Sequence, residues 1–164
     1  MDSHASIRYG MGIFDFLRPR PQPHAEFGLL QYAGGRWHGR IALENGERIA
    51  LHLPGSRAGP HPEGLHSAEQ ASTWWTKTRP EVEQELFAHY TAGRDATTDL
   101  VLELRDPGDV WAHAVLTSAE IKPHRSLGEL QIAIRVAWDD EHTLGALLRD
   151  ARLVELNGSI LEPR

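Results

Sequence analysis

The stretch that decides the fold is ELQIAIRVAWDDEHTLGALLRD, residues 129–150. Its first half alternates without a break. Leu130, Ile132, Ile134, Val136 and Trp138 fall on one side, and Gln131, Ala133, Arg135 and Ala137 on the other. Successive strand residues point to opposite faces, so this pattern is a strand buried on one side. The second half returns through Leu144, Ala146 and Leu148. Between them stand Asp139, Asp140, Glu141 and His142. The spacing predicts a four-residue turn there, joining two antiparallel strands. Aspartate favours such turns because its carboxylate accepts from backbone N–H groups two residues on.

Working outward, LTSAEIKP before this ribbon and ARLVELNG after it read as further strands, the last closed by Asn157-Gly158. Residues 26–54 read as a β-meander. FGLLQY leads into Ala33-Gly34-Gly35, a turn. RWHGRIAL puts Trp37, Gly39, Ile41 and Leu43 on one face. Asn45-Gly46 is a strong hairpin signal because both positions tolerate positive φ. ERIALHL then returns with Ile49, Leu51 and Leu53 inward. The Gly- and Pro-rich loop GSRAGPHPEG follows. Residues 67–91 read as helix, opened by a Ser67/Gln70 capping box and closed by Gly93. Trp75, Val82, Leu86 and Tyr90 share one apolar face. Pro80 predicts two helices or one sharply kinked helix, since it offers no N–H to Thr76. Asp106-Pro107 marks a further short helix over 107–115, with a strand as the rival for VWAHAVL.

Short connections make neighbouring strands antiparallel. The expected fold is α+β: a twisted antiparallel sheet of about six to seven strands, with one or two helices on one face. Residues 1–24 are expected to be a flexible N-terminal segment with an apolar knot at 12–17, and residues 25–164 a single domain. The knot reads as a short docking helix or a weak anchor, and Met11-Gly12 as an alternative start.

Composition narrows the function. The formal net charge is -6, which argues against a nucleic-acid partner. With no cysteine, disulfides and thiolate metal sites are excluded. No run of apolar residues is long enough for a membrane span, and no secretory signal opens the chain, so a cytoplasmic place is expected.

Chemistry is sparse. Asp139, Glu141 and His142 are the only compact set that could serve acid–base catalysis, but a hairpin tip does not desolvate carboxylates enough to separate their pKa values. The ten histidines are scattered, without the spacing of a zinc site, and His52 is expected to be exposed opposite Leu51 and Leu53. No nucleophile elbow and no phosphate-binding glycine loop occurs. No metal or cofactor is therefore expected. Trp74 and Asp140 are candidate binding residues, because exposed tryptophan favours interfaces.

MGIFDFLRPR, GLLQYAGGRWHGRIAL and WDDEHTLGALLRDARLVELNG together resemble an uncharacterised group of bacterial α+β domains of unknown function. In that group a Trp-Asp-x-Glu-His segment precedes a Leu-Gly pair, matched here by Trp138–His142 and Leu144-Gly145. The resemblance runs from Met11 onward and implies relatives among the immunity proteins of polymorphic-toxin systems. It brings no catalytic residues. The expected function is a non-enzymatic, immunity-like protein-interaction module whose partner is a protein such as a toxin. Two alternatives stand beside it: a hydrolase-like enzyme using Asp139, Glu141 and His142, and a self-associating structural domain. The oligomeric state is left open.

Overall fold

The computed structural model describes residues 19–160 except 45, 97–101 and 125–126. The apolar knot at 12–17 lies outside the described residues. Four strands open the fold: β1 (Gln22–His24), β2 (Gly28–Ala33), β3 (Arg36–Ala42) and β4 (Arg48–Leu53). A small ribbon, β5 (Gly55–Ser56) with β6 (Gly59–Pro60), leads into α1 (Pro62–Ala96). A 3₁₀ helix (Pro107–Ala112) follows, then β7 (Ala114–His124), β8 (Leu127–Val136), β9 (Asp139–Arg149) and β10 (Arg152–Asn157).

The main sheet has eight strands, in the order β1-β2-β3-β4-β7-β8-β9-β10. That corrects the expected six to seven, although the α+β class and the mostly antiparallel pairing hold. The added strand is β1, which pairs with β2 through Pro23↔Leu29. Three residues with a proline at their centre give no alternation to read. One pairing is parallel: Leu51 of β4 lies beside Ala119 of β7. A parallel neighbour needs a long crossover, and α1 supplies it.

Each hairpin follows its turn chemistry. Gly34 and Gly35 have φ of +58° and +85°, joining Ala33 to Arg36. Asp150 and Ala151 make the corresponding turn between Arg149 and Arg152 with φ of 51° and 56°. The tip of the β8–β9 ribbon differs from expectation. Val136 pairs with Asp139, so the turn is Ala137-Trp138 and Asp139–His142 begin β9. The register shifts between Ile134 and Val136, so the extra residues bulge out of β9 rather than lengthening the turn. The Trp138 indole explains the placement. It is buried against Tyr90, ring centroids 5.7 Å apart, so it cannot swing out with a longer loop.

Of the two readings of Pro80 the single helix holds: α1 runs unbroken, and it begins at Pro62 rather than Ser67. Proline is well suited to a first helical turn because its missing N–H would have no partner there. Ser67 is therefore inside the helix, where its buried hydroxyl accepts from Gly128 N at 3.1 Å. Gly93 also lies inside, because the helix runs on to Ala96. Helix continues through Pro80, on packing that outweighs the lost hydrogen bond: Trp75, Val82, Leu86 and Tyr90 are all buried. Thr76 and Thr78 donate their hydroxyls back to the Ser72 and Trp74 carbonyls, both at 2.9 Å. The expected short helix is the 3₁₀ turn, with Asp106 Oδ1 accepting from Gly108 N at 2.9 Å.

The core lies between α1 and one face of the sheet. Strand register aligns Leu51, Ala119, Ile132 and Ala146 in one row, and Ile121, Leu130 and Leu148 in the next. All are buried. The opposite face carries the polar set His38, His52, Glu120 and Gln131, also aligned across neighbouring strands.

Candidate functional site

The predicted site residues gather at the start of β9, though only some of them meet. Asp139 Oδ1 accepts from the His142 backbone N–H at 3.1 Å and lies 2.9 Å from its ring Nδ1. Trp138 Nε1 donates to His89 Nδ1 at 3.1 Å, so the proton of a neutral His89 sits on Nε2. That nitrogen is 3.9 Å from Asp139 Oδ2, too far for a hydrogen bond. Asp139 is half-buried, whereas Asp140, Glu141 and His142 are exposed. A carboxylate that orients an imidazole is half of a general-base device. The other half is a nucleophile, and no described hydroxyl hydrogen-bonds His142. The ion pairs and hydrogen bonds of Asp139 and His142 also involve no residue of the 55–66 segment. Among the described residues no group of three or more His, Asp or Glu side chains could hold a metal ion.

Trp74 is half-buried and packs against the core. Its neighbour Trp75 is buried as expected, and leads to a cluster that sequence reasoning missed. Trp75 and Trp111 meet edge to face, centroids 5.7 Å apart. Each indole N–H donates to a glutamate: Trp75 to Glu44 Oε2 at 3.2 Å, Trp111 to Glu83 Oε2 at 2.6 Å. Arg79 lies between the two carboxylates, its guanidinium 4.4 Å above the Trp111 ring. Arg79 Nε is 2.8 Å from Glu44 Oε2, but its N–H does not point at that oxygen. The contact is thus an ion pair without a formed hydrogen bond.

Beside this cluster opens a cleft of about 240 Å³ between the β3–β4 turn, α1 and the start of β7. Glu44, Glu47, Arg79, Trp111 and Val115 line it. Val115 is 58% exposed, the most exposed large apolar side chain among the described residues. Of the lining residues, the two carboxylates Glu44 and Glu47 outnumber the single guanidinium of Arg79. The cleft is therefore acidic with an aromatic wall and an apolar lip.

On the sheet face away from α1, His52 is buried, which corrects the expectation that it is exposed. Alternation placed it rightly opposite Leu51 and Leu53, but that face is crowded too. His52 Nδ1 lies 3.1 Å from His38 Nδ1, and His38 Nε2 lies 2.9 Å from the Ala33 carbonyl oxygen. A carbonyl only accepts, so the proton of a neutral His38 is on Nε2 and His52 donates from Nδ1. Burial, then the His38 and Arg36 charges, lowers the His52 pKa to about 4. Arg36 itself pairs with Glu120 at 2.8 Å. At the 3₁₀ helix, the Arg105 and Asp106 backbone N–H groups hold the Asp109 carboxyl below its usual value.

An eight-stranded, mostly antiparallel sheet, one crossover helix and an acid–aromatic cleft define this α+β domain. The chain matches the model of the domain of unknown function DUF6985 over residues 26–160, and belongs to that family. No curated protein and no solved structure matches it significantly. The resemblance to an uncharacterised family therefore stands.

Proposed function

We propose that this protein is a non-enzymatic protein-interaction module, immunity-like in its mode of action. Its partner is a protein such as a toxin, presenting a basic residue beside an apolar one. The observation that carries this reading is exposed Val115 beside half-buried Trp111, in a cleft rimmed by Glu44 and Glu47. Interface hot spots combine an aromatic wall with a site that excludes water. A carboxylate rim attracts cationic partners and selects against acidic ones. The net charge of -6 favours the same class of partner. Trp74 and Asp140 do not line this cleft.

The reading includes a cytoplasmic place in a bacterial cell. It is consistent with the observation that no helix among the described residues is long and apolar enough to cross a membrane. The test is co-expression with a growth-inhibiting basic protein taken from the products of the neighbouring genes. Rescue of growth by the wild-type chain, and its loss in Val115→Asp with Glu47→Lys, is the expected result. Equal rescue by that double variant, or none by the wild type, overturns the reading.

A further inference from the structure

Arg79 stands between two carboxylates without a hydrogen bond to either. Its Nε is buried and unpaired, and no hydrogen bond joins its guanidinium to another described residue. It lies 4.4 Å above the Trp111 ring, with Nε 2.8 Å from Glu44 Oε2 and Nη1 3.8 Å from Glu83 Oε2. A guanidinium is a rigid fork of N–H donors, and a carboxylate within reach ordinarily accepts from it. Here neither carboxylate does. The Arg79 side chain is also 35% exposed, so the site it fills opens to solvent.

Other contacts build the box around it. Glu44 accepts from the Trp75 indole N–H at 3.2 Å, and Glu83 from the Trp111 indole N–H at 2.6 Å. The two indoles meet edge to face, and Trp75 is fully buried. Both carboxylates and the Trp111 face are thus positioned by groups other than Arg79. An indole face beside carboxylates is a receptor for a cation, and a planar guanidinium stacks on it where a compact ammonium does not. Arg79 and Glu44 also form the wall between two clefts. One is the acid–aromatic cleft; the other, of about 440 Å³, is lined besides them by Trp75, Thr76 and Pro80. That second cleft gives the Arg79 side chain room to leave the Trp111 face while its backbone stays in the helix.

We propose that Arg79 is a built-in stand-in for an incoming arginine. The box of Glu44, Glu83 and the Trp111 face takes an arginine side chain from outside, and Arg79 turns aside into the second cleft when it does. The proposal rests on the interaction reading above, and adds which basic residue the partner presents and what fills the site without it. While Arg79 holds the box, only a fraction of molecules is open to the newcomer, so removing its side chain raises affinity.

The test is an NMR titration of the full chain with N-acetyl-arginine methylamide, followed at the Trp75 and Trp111 indole N–H signals. N-acetyl-lysine methylamide is the control. In Arg79→Ala the arginine probe is expected to shift both signals saturably, and to bind roughly tenfold or more tightly than to the wild type. The lysine probe is expected to bind Arg79→Ala at least roughly tenfold more weakly than the arginine probe. Glu83→Gln added to Arg79→Ala is expected to remove the gain. Arg79→Gln, which keeps the side-chain stem, is expected to show the same gain and serves where the alanine variant does not fold. Probe binding no tighter in either Arg79 variant than in the wild type, equal binding of the lysine probe, or a gain that survives Glu83→Gln overturns the proposal. The probe needs only the box and not the Glu47–Val115 rim, so its failure leaves the interaction reading to the co-expression result, and failed rescue beside a bound probe overturns that reading alone.

Discussion

At the His38–His52 pair a single residue makes stability depend on pH. Folded His52 holds a pKa of about 4 against an ordinary 6.5. Below 6.5 the unfolded chain therefore takes up a proton that the folded one refuses. Stability is full above 6.5 and is lost as the pH falls towards 4, by up to about 3 kcal/mol. Urea unfolding at pH 7 and at pH 4.5 checks this. The wild type is expected to lose about 2 kcal/mol more than His52→Gln over that interval. Parallel losses would assign the acid sensitivity elsewhere. Alternation alone could place His52 opposite the core but could not show that its face is crowded, because the crowding comes from His38, fourteen residues away. A second residue is strained outright. Ala151 has φ 56°, where its Cβ approaches the following carbonyl. Ala151→Gly is expected to raise stability by about 0.5–1 kcal/mol in the same assay, glycine's greater unfolded freedom offsetting part of the gain.

At the scale of elements, α1 shows which signals carry. The stripe Trp75, Val82, Leu86, Tyr90 is legible because burial follows the 3.6-residue period. Its ends were not legible. Ser67 and Gly93 look like caps, but five residues before Ser67 Pro62 supplies a better start, and nothing local stops the helix at Gly93. Pro80 left two readings open because local sequence does not show that tertiary packing outweighs one missing hydrogen bond. Leu102 and Leu104 are tied to the helix by the Tyr90 hydroxyl. Tyr90 Oη donates to the Leu102 carbonyl at 2.7 Å and accepts from Leu104 N–H at 3.1 Å. Tyr90→Phe leaves both backbone groups unpaired in a buried setting and is expected to cost about 1–3 kcal/mol. Faster hydrogen exchange at Leu104, beyond that of the helix, would locate the loss; unchanged exchange there would refute it. The β8–β9 ribbon gives the converse lesson. Its strands follow directly from alternation, whereas its tip is set by where Trp138 finds room against Tyr90 and His89.

For the whole molecule, the α+β class and most strands can be read from local pattern, but the sheet order cannot. The β4–β7 pairing joins residues on either side of α1, and no periodicity announces it. The same non-local closure creates the acid–aromatic cleft, since Glu44, Arg79 and Trp111 come from three separate elements. Composition hinted at an acidic partner surface without locating it. The two outer strands differ in the edges they offer. β1 is three residues long with two prolines nearby in sequence, while β10 carries a bulge between Leu153 and Glu155 and the exposed Val154. Short, proline-bearing or bulged edges resist pairing between copies. Light scattering is thus expected to report a monomer, and a dimer lost on changing Val154→Lys would favour self-association instead. The most direct test of the interaction reading is the dissociation constant between the purified chain and a basic protein taken from the products of its neighbouring genes, measured at two salt concentrations. The account predicts tighter binding at low salt, and at least tenfold weaker binding in both Glu47→Lys and Val115→Asp. A constant that ignores salt and both substitutions would contradict it.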